Sequence, residues 1–270
     1  MARKNALTRA QKSRAVALCE AGQLIEAEAA YARVCQIDRT DSDAWLQRST
    51  VCRRLARFAE AEAHAAMALR LSPGKPEALL AMGKAVQCQG RLEEAAVHYR
   101  DAGRSPSCAG EAQYLLGNAL RELGRLREAV VHYRAAIGLN PNFVEALANL
   151  GATLTTLGEI PEAIAMLNRA VVQMPNAPQI QCNLARILER DGRNQEALER
   201  YELALRHAPD FLDAVCGAAA LYEKTGLLEQ AENLVDAALP RHPDAPALLL
   251  VAAKLARRKK DTDAAIALLV

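Results

Sequence analysis

The sequence predicts an all-α protein built as a solenoid of antiparallel helix pairs. Hydrophobic residues make up 51% of the 270 residues but aromatic residues only 4%, and the apolar content is mostly alanine and leucine, which favour helix. The β-branched and aromatic runs that are typical of strands are missing. Alanine, glycine and proline also recur with a period of 34 residues along the chain, which is the length of two short helices and their turns.

The period is clearest in four columns of aligned residues. The first column consists of alanines in the second helix of each repeat: Ala27, Ala61, Ala95, Ala129, Ala163, Ala197, Ala231 and Ala265. Glycine lies five residues earlier in most repeats, at Gly22, Gly90, Gly124, Gly158, Gly192 and Gly226, and is replaced by Ala56 and Lys260 in two. Proline follows the alanine by twelve residues at Pro73, Pro141, Pro175, Pro209 and Pro243. A fourth column contains only small residues: Ala15, Ser49, Gly83, Gly117, Gly151, Ala185, Ala219 and Ala253.

Each column has a physical role in a helix pair. The glycine ends the first helix, because a left-handed residue costs little there. The small residue and the alanine lie where the two helices cross, since larger side chains would push the axes apart. The proline ends the second helix. One pair cannot bury its own apolar face, so successive pairs are expected to stack.

We therefore predict an N-terminal tail over residues 1–7 and a solenoid over residues 8–270. The repeats start at Thr8, Ser42, Pro76, Gly110, Val144, Pro178 and Leu212, with a partial repeat from Pro246. The third repeat departs from the pattern, because Gly103 falls inside its second helix and its proline, Pro106, comes one place early. We expect that helix to end early, with a hinge around residues 103–110.

This pattern resembles the tetratricopeptide repeat family over essentially the whole chain from Thr8 onward, and Trp45 matches the family's early tryptophan. The resemblance implies a right-handed superhelix in which first helices line a concave groove and second helices form the outer wall. The segment NPNFVEALANLGATLTTLGEIPEAI is similar to the substrate-binding repeats of O-linked N-acetylglucosamine transferases. Bacterial sulfotransferases with a tetratricopeptide region are another similar class.

Periodicity places a set of polar residues in the groove, on the first-helix side opposite the small residues. They are Arg53, Lys84, Tyr114, Asn118, Arg121, Asn149, Asn183 and Arg186. Asparagine offers both a donor and an acceptor, which suits the backbone of an extended peptide, and arginine suits acidic side chains or a carboxylate. The alternative is that these residues form ordinary solvated helix faces.

Some tetratricopeptide proteins bind a C-terminal carboxylate with a Lys/Asn/Asn/Lys/Arg set. Asn118 and Asn149 match its asparagines, but Tyr114, Gln179 and Asn183 replace its cations.

The remaining features exclude other classes of function. A net charge of +2 gives no strong attraction to nucleic acid, no apolar stretch is long enough to span a membrane, and the N-terminus has no apolar core typical of a secretory signal. We therefore expect a cytoplasmic protein. No nucleophile–histidine–acid set or phosphate-binding glycine loop is present, so we predict no enzyme activity and no cofactor.

The cysteines and histidines are not expected to form a metal site or a disulfide. The seven cysteines are odd in number and include no CxxC, which favours free thiols. The column His64, His98 and His132 lies on second helices, whose axes are about 8–10 Å apart and so too far apart to share one ion readily.

Three functions remain open. The first is an interaction scaffold whose groove binds a protein or peptide segment, an acidic one being suited to the arginines. The second is the substrate-recruiting region of a larger glycosyl- or sulfotransferase. The third is a module that self-associates through its C-terminal end, because the terminal AAIALLV is apolar where solenoids usually have a polar cap. This apolar end also favours the interpretation that the sequence is a fragment of a longer protein.

Overall fold

The computed structural model describes residues 2–258, with side chains from Leu7 onward. All fifteen regular elements within that range are α-helices. They fall into two compact units, one ending at Pro141 and the other beginning at Asn142. The prediction of an all-α solenoid is therefore confirmed, and each unit is a stack of helix pairs joined by short turns.

The N-terminal unit contains four helix pairs. Its helices are α1 (Ala2–Glu20), α2 (Leu24–Ile37), α3 (Ser42–Arg54), α4 (Phe58–Leu71), α5 (Pro76–Gln87), α6 (Leu92–Ala102), α7 (Ala109–Glu122) and α8 (Leu126–Leu139). The two helices of each pair contact one another, and α2, α4 and α6 also contact the first helix of the next pair. Because α1 begins at Ala2, the segment before Thr8 continues the first helix, whereas the sequence predicted a tail there.

The C-terminal unit contains three further pairs and one additional helix. Its helices are α9 (Val144–Leu157), α10 (Ile160–Gln173), α11 (Pro178–Arg190), α12 (Asn194–His207), α13 (Leu212–Thr225), α14 (Leu228–Ala238) and α15 (Pro246–Arg258). Buried side chains such as Val215, Val235 and Leu248 join α13, α14 and α15 in one apolar core. Lys260, Ala265 and the apolar segment AAIALLV lie outside the described residues.

A left-handed residue follows the first helix of each pair, as the glycine column predicts. The six column glycines have φ between 75° and 84°. After α7, for example, the Arg125 N–H donates to the Leu120 carbonyl at 2.8 Å, which closes the end of the helix. Ala56 adopts the same conformation with a φ of 57°, and the Arg57 N–H donates to the Cys52 carbonyl at 2.9 Å. The turn therefore forms without glycine, at a cost in steric strain.

Replacing Ala56 with glycine is expected to stabilise the protein. A left-handed alanine is strained by about 1–2 kcal/mol, and the greater freedom of glycine in the unfolded chain removes about 0.4–1 kcal/mol of that gain. Ala56→Gly should therefore raise the free energy of unfolding by about 0.5–1 kcal/mol in urea denaturation. The reverse change at the equivalent turn, Gly124→Ala, should lower it by a similar amount. A loss of stability in Ala56→Gly would show that the turn is not strained.

The small-residue column allows the two helices of a pair to cross closely. A Cβ atom added to Gly83 would lie 2.5 Å from the ring of Tyr99, and one added to Gly117 would lie 2.7 Å from the ring of Tyr133. The same addition at Gly151 would meet Leu167 at 2.6 Å. These separations are too short for a real methyl group, so the large side chain of the second helix fills the space that glycine leaves.

The Gly117 contact can be separated from the ordinary helix preference for alanine. Gly117→Ala should lower the free energy of unfolding by about 1–3 kcal/mol, because overpacking displaces the buried Tyr133 ring. Gly138→Ala is the matched control, since Gly138 lies in α8 with no atom within 4 Å of the added Cβ. That control should gain up to about 1 kcal/mol from helix propensity. Equal effects of the two substitutions in thermal or urea denaturation would contradict the close crossing.

The second helix of the third repeat is short, as Gly103 predicts. Helix α6 has 11 residues, whereas α4 and α8 have 14 each. Residues 103–110 lie inside the N-terminal unit, where α6 and α7 contact one another. The boundary between the units lies one repeat later, after Pro141, and the predicted hinge around residues 103–110 stays a prediction.

Candidate functional site

First helices of neighbouring repeats contact one another directly in both units. In the N-terminal unit α3 contacts α5, and in the C-terminal unit α11 contacts both α9 and α13. We call the surface formed by the first helices of a unit its first-helix face. The predicted groove residues belong to these helices, so each unit has its own candidate binding surface.

A cavity of about 220 Å³ lies on the first-helix face of the N-terminal unit. The side chains around it come from α3, α5 and α7: Leu46, Gln47, Ser49, Thr50, Arg53, Glu77, Leu80, Ala81, Lys84 and Glu111. The structure therefore brings together two of the predicted groove residues, Arg53 and Lys84. It also adds two carboxylates that the prediction omitted. The Lys84 Nζ lies 2.6 Å from the Glu111 Oε1, so this cation is already paired with an acid.

The added carboxylates belong to a further column that the sequence analysis missed. Acidic residues recur every 34 residues in the first turn of the first helices, at Asp43, Glu77, Glu111, Glu145 and Asp213. A carboxylate in the first turn is stabilised by the positive end of the helix dipole. The Lys75 ammonium beside Asp43 also lowers the pKa of that carboxyl. The first-helix face of the N-terminal unit therefore presents both signs of charge.

Asn118 is hydrogen-bonded to a core tyrosine of its own repeat. Its Oδ1 accepts a hydrogen bond from the Tyr133 hydroxyl at 2.8 Å, and Tyr133 is the ring that packs over Gly117. Tyr99 makes the equivalent bond to the Gln87 Oε1 at 2.7 Å in the preceding repeat. The Tyr114 ring lies 6.2 Å from the Tyr133 ring. Asn118 and Tyr114 thus help to fix the tyrosine at the helix crossing, whereas Arg121 is exposed.

The structural contribution of Asn118 is measurable by a double-mutant cycle. Asn118→Ala should lower the free energy of unfolding by about 1 kcal/mol, because the part-buried Tyr133 hydroxyl loses an acceptor. In a Tyr133→Phe background the same substitution should have a clearly smaller effect. Urea denaturation of the four proteins gives the coupling energy. Additive effects would mean that the bond contributes nothing to stability.

A second cavity, of about 260 Å³, lies on the first-helix face of the C-terminal unit. Its lining consists of Ala152, Thr155, Thr156, Asn183, Arg186 and Arg190. The Arg186 Nη2 donates to the Asn183 Oδ1 at 2.9 Å, and the Arg190 Nη1 donates to the Thr155 carbonyl at 2.5 Å. Two guanidinium groups are therefore held at one cavity, and the described lining residues include no carboxylate. This combination suits an anionic oxygen ligand.

The three asparagines predicted to lie in the groove are distributed over the two units. Asn149 is half-buried on α9 and its backbone carbonyl accepts from Thr153, while Asn183 lies on α11 beside Arg186. Asn118 belongs to the N-terminal unit. Periodicity places Asn183, Arg186 and also Arg190 in the groove, whereas Thr155 and Thr156 were not predicted. Thr155 lies one period after Arg121, so the repeat pattern contained that signal.

The cysteines of the described residues are free thiols, most of them buried. Burial raises the pKa of Cys182 to about 12 and that of Cys35 to about 11, so these thiols are poor nucleophiles at neutral pH. The three column histidines have different neighbours: Trp45 for His64, Glu94 for His98 and Gln113 for His132. His64 also lies near Glu28 and Cys52, a group that the sequence analysis did not identify.

The sequence matches profiles of known repeat families. Family profiles described as TPR repeat and tetratricopeptide repeat match residues 117–158, 156–211 and 188–255. A comparison with curated proteins found no significant relative. None of the described helices is long and apolar enough to cross a membrane.

Solved structures with the same fold include several repeat proteins. One is YrrB, described as a TPR protein with an unusual peptide-binding site. It is 22% identical with a TM-score of 0.54, over 68% of this chain and 95% of its own. PilF of Pseudomonas aeruginosa is 19% identical with a TM-score of 0.69, over 80% and 98% of the two chains. MamA is 22% identical with a TM-score of 0.54, over 63% and 92%. At these identities the similarity concerns the fold.

Proposed function

Because the chain belongs to the tetratricopeptide repeat family, we propose that it is a protein-interaction scaffold whose first-helix faces bind an extended segment of a partner. The observation that supports this most directly is the cavity on each first-helix face, lined by polar side chains from successive first helices. An extended peptide that crosses successive helices meets one such set of side chains per repeat. The peptide-binding site in the description of YrrB is consistent with this use of the fold.

The charges differ between the two faces and suggest where an acidic side chain would bind. In the N-terminal unit Lys84 is paired with Glu111, and Glu77 lies in the same cavity, so a partner's carboxylate would compete with acids of the protein itself. In the C-terminal unit Arg186 and Arg190 share a cavity whose described lining has no acid. Their present partners are an amide and a backbone carbonyl, which bind arginine less strongly than a carboxylate does.

We propose accordingly that an acidic residue or a C-terminal carboxylate of the partner binds between Arg186 and Arg190. Asn183 and the hydroxyls of Thr155 and Thr156 provide hydrogen bonds to the neighbouring peptide backbone. Asn149, half-buried on the same helix as these threonines, adds a further amide to this set. The face contains no nucleophile paired with a base among these residues, so we assign it binding and no catalysis.

Peptide binding tests this proposal. A synthetic library of unstructured peptides, graded from basic to acidic, is titrated against the protein by fluorescence anisotropy. The acidic members should bind, and their affinity should fall as salt rises, because exposed ion pairs are screened. In the Arg186→Ala/Arg190→Ala variant the affinity should fall at least about tenfold, which corresponds to about 1.4 kcal/mol.

A matched variant controls for the change of net charge. Arg169→Ala/Arg206→Ala removes two arginines from the second helices α10 and α12 of the same unit. Acidic peptides should bind this variant nearly as tightly as the wild type. Equal losses in the two double variants, or full binding by the Arg186/Arg190 variant, would exclude this cavity as the binding site.

A further inference from the structure

Three side chains of different metal-binding chemistry meet inside the N-terminal unit. They are Glu28 on α2, Cys52 on α3 and His64 on α4. Their ligand atoms all lie within 4.8 Å of one another. Cys52 is fully buried and the Glu28 side chain is only 13% exposed. The group is therefore an internal cluster formed by three helices of two successive repeats, and none of its residues lines either of the two cavities described above.

His64 lacks a hydrogen-bond partner for its inner nitrogen. Its Nε2 is buried and has no hydrogen-bond partner among the described residues, a state that a bound ion or water would explain. An imidazole nitrogen is a common ligand of transition-metal ions.

The surrounding charges orient the carboxylate. Arg48 donates to the Glu28 Oε1 from Nε at 2.8 Å, and its Nη2 lies 2.7 Å from the same oxygen. Arg57 pairs with Glu60 and lies 3.8 Å from the Glu28 Oε2. Two carboxylates thus balance two guanidinium groups around the cluster. A carboxylate held by a second residue in this way is typical of metal ligands.

We infer that Glu28, Cys52 and His64 form a binding site for a divalent transition-metal ion, with Zn²⁺ the best match. A thiolate, an imidazole and a carboxylate are the ligands that zinc uses, and a water molecule completes four-coordination. The sulfur ligand disfavours Mg²⁺ and Ca²⁺. Ligand atoms around tetrahedral zinc are about 3.5 Å apart, so separations of up to 4.8 Å need to close by about 1.3 Å at most. As the metal–sulfur bond forms, the Cys52 proton passes to solvent.

The site would connect the first repeat to the second. Glu28 belongs to the first pair, whereas Cys52 and His64 belong to the two helices of the second pair. An ion at this position therefore joins α2 to both α3 and α4. Because the folded state binds the ion and the unfolded chain does not hold the three ligands together, metal should raise the melting temperature.

Cobalt provides a direct spectroscopic test. Apo-protein with reduced thiols is titrated with Co²⁺, and we expect one equivalent to give a thiolate-to-cobalt charge-transfer band and visible bands of a tetrahedral site. Zn²⁺ should displace the Co²⁺ and raise the melting temperature by a few degrees. Cys52→Ser should abolish the charge-transfer band, and His64→Gln should weaken Co²⁺ binding at least about tenfold.

The controls are a buried cysteine and a column histidine from elsewhere in the chain. Cys182→Ser and His132→Gln should leave the spectrum and the stoichiometry unchanged. Circular dichroism of each apo variant checks the fold, and the wild-type spectrum tests the site even if one variant fails to fold. The inference is overturned if wild-type protein gives no thiolate band, or if the band survives in folded Cys52→Ser.

Discussion

The close crossing of the two helices in a pair determines where the other side chains of a repeat lie. At Gly83 and Gly117 a tyrosine ring of the second helix occupies the space of the missing Cβ. The ring hydroxyl then reaches past the crossing to a polar residue of the first helix, Gln87 or Asn118. The tyrosine at the crossing therefore connects the apolar interior with the first-helix face. Its ring packs in the interior, while its hydroxyl donates a hydrogen bond to a side chain of the first helix. Asn118, which its position in the repeat assigned to ligand contact, is in part a support for the core.

The repeat pattern predicted the helices well because its causes are local. The left-handed turn that favours glycine and the close crossing that requires a small residue both depend on neighbours within one repeat. Repetition makes each of these signals visible several times. Gly103 shortened α6 for the same reason. The division after Pro141 was not predicted, since it depends on packing between repeats. Gly217 lies outside the small-residue column, yet an added Cβ there would lie 2.4 Å from Tyr201 on the second helix of the preceding pair. The columns did not reveal this contact, because it joins two repeats.

The candidate surfaces were predicted only as columns of residue types. Periodicity placed Arg53, Lys84, Asn183 and Arg186 on first helices, where the structure has them. It did not show that Lys84 pairs with Glu111 of the next repeat, because side-chain pairing depends on rotamers and on the spacing between helices. The Glu28, Cys52 and His64 group was missed for a related reason. Its three members belong to different helices and occupy different positions in the repeat. A period of 34 residues reveals equivalent positions in different repeats, such as the histidine column, and gives no signal for unlike residues on neighbouring helices.

The cavities on the two first-helix faces differ in charge, and an interruption of the acidic column contributes to that difference. Acidic residues occupy the first turn of the first helices at Asp43, Glu77, Glu111, Glu145 and Asp213, but Gln179 occupies that position in α11. Arg9 in α1 and Ala247 in α15 also interrupt the column, but α11 is the helix that presents Arg186 and Arg190 at a cavity whose described lining has no acid. Helix α11 therefore adds no first-turn carboxylate to its cavity, whereas Glu77 of α5 lines the cavity of the N-terminal unit. A cavity that holds two guanidinium groups and no carboxylate in its described lining is suited to receive an acid from a partner.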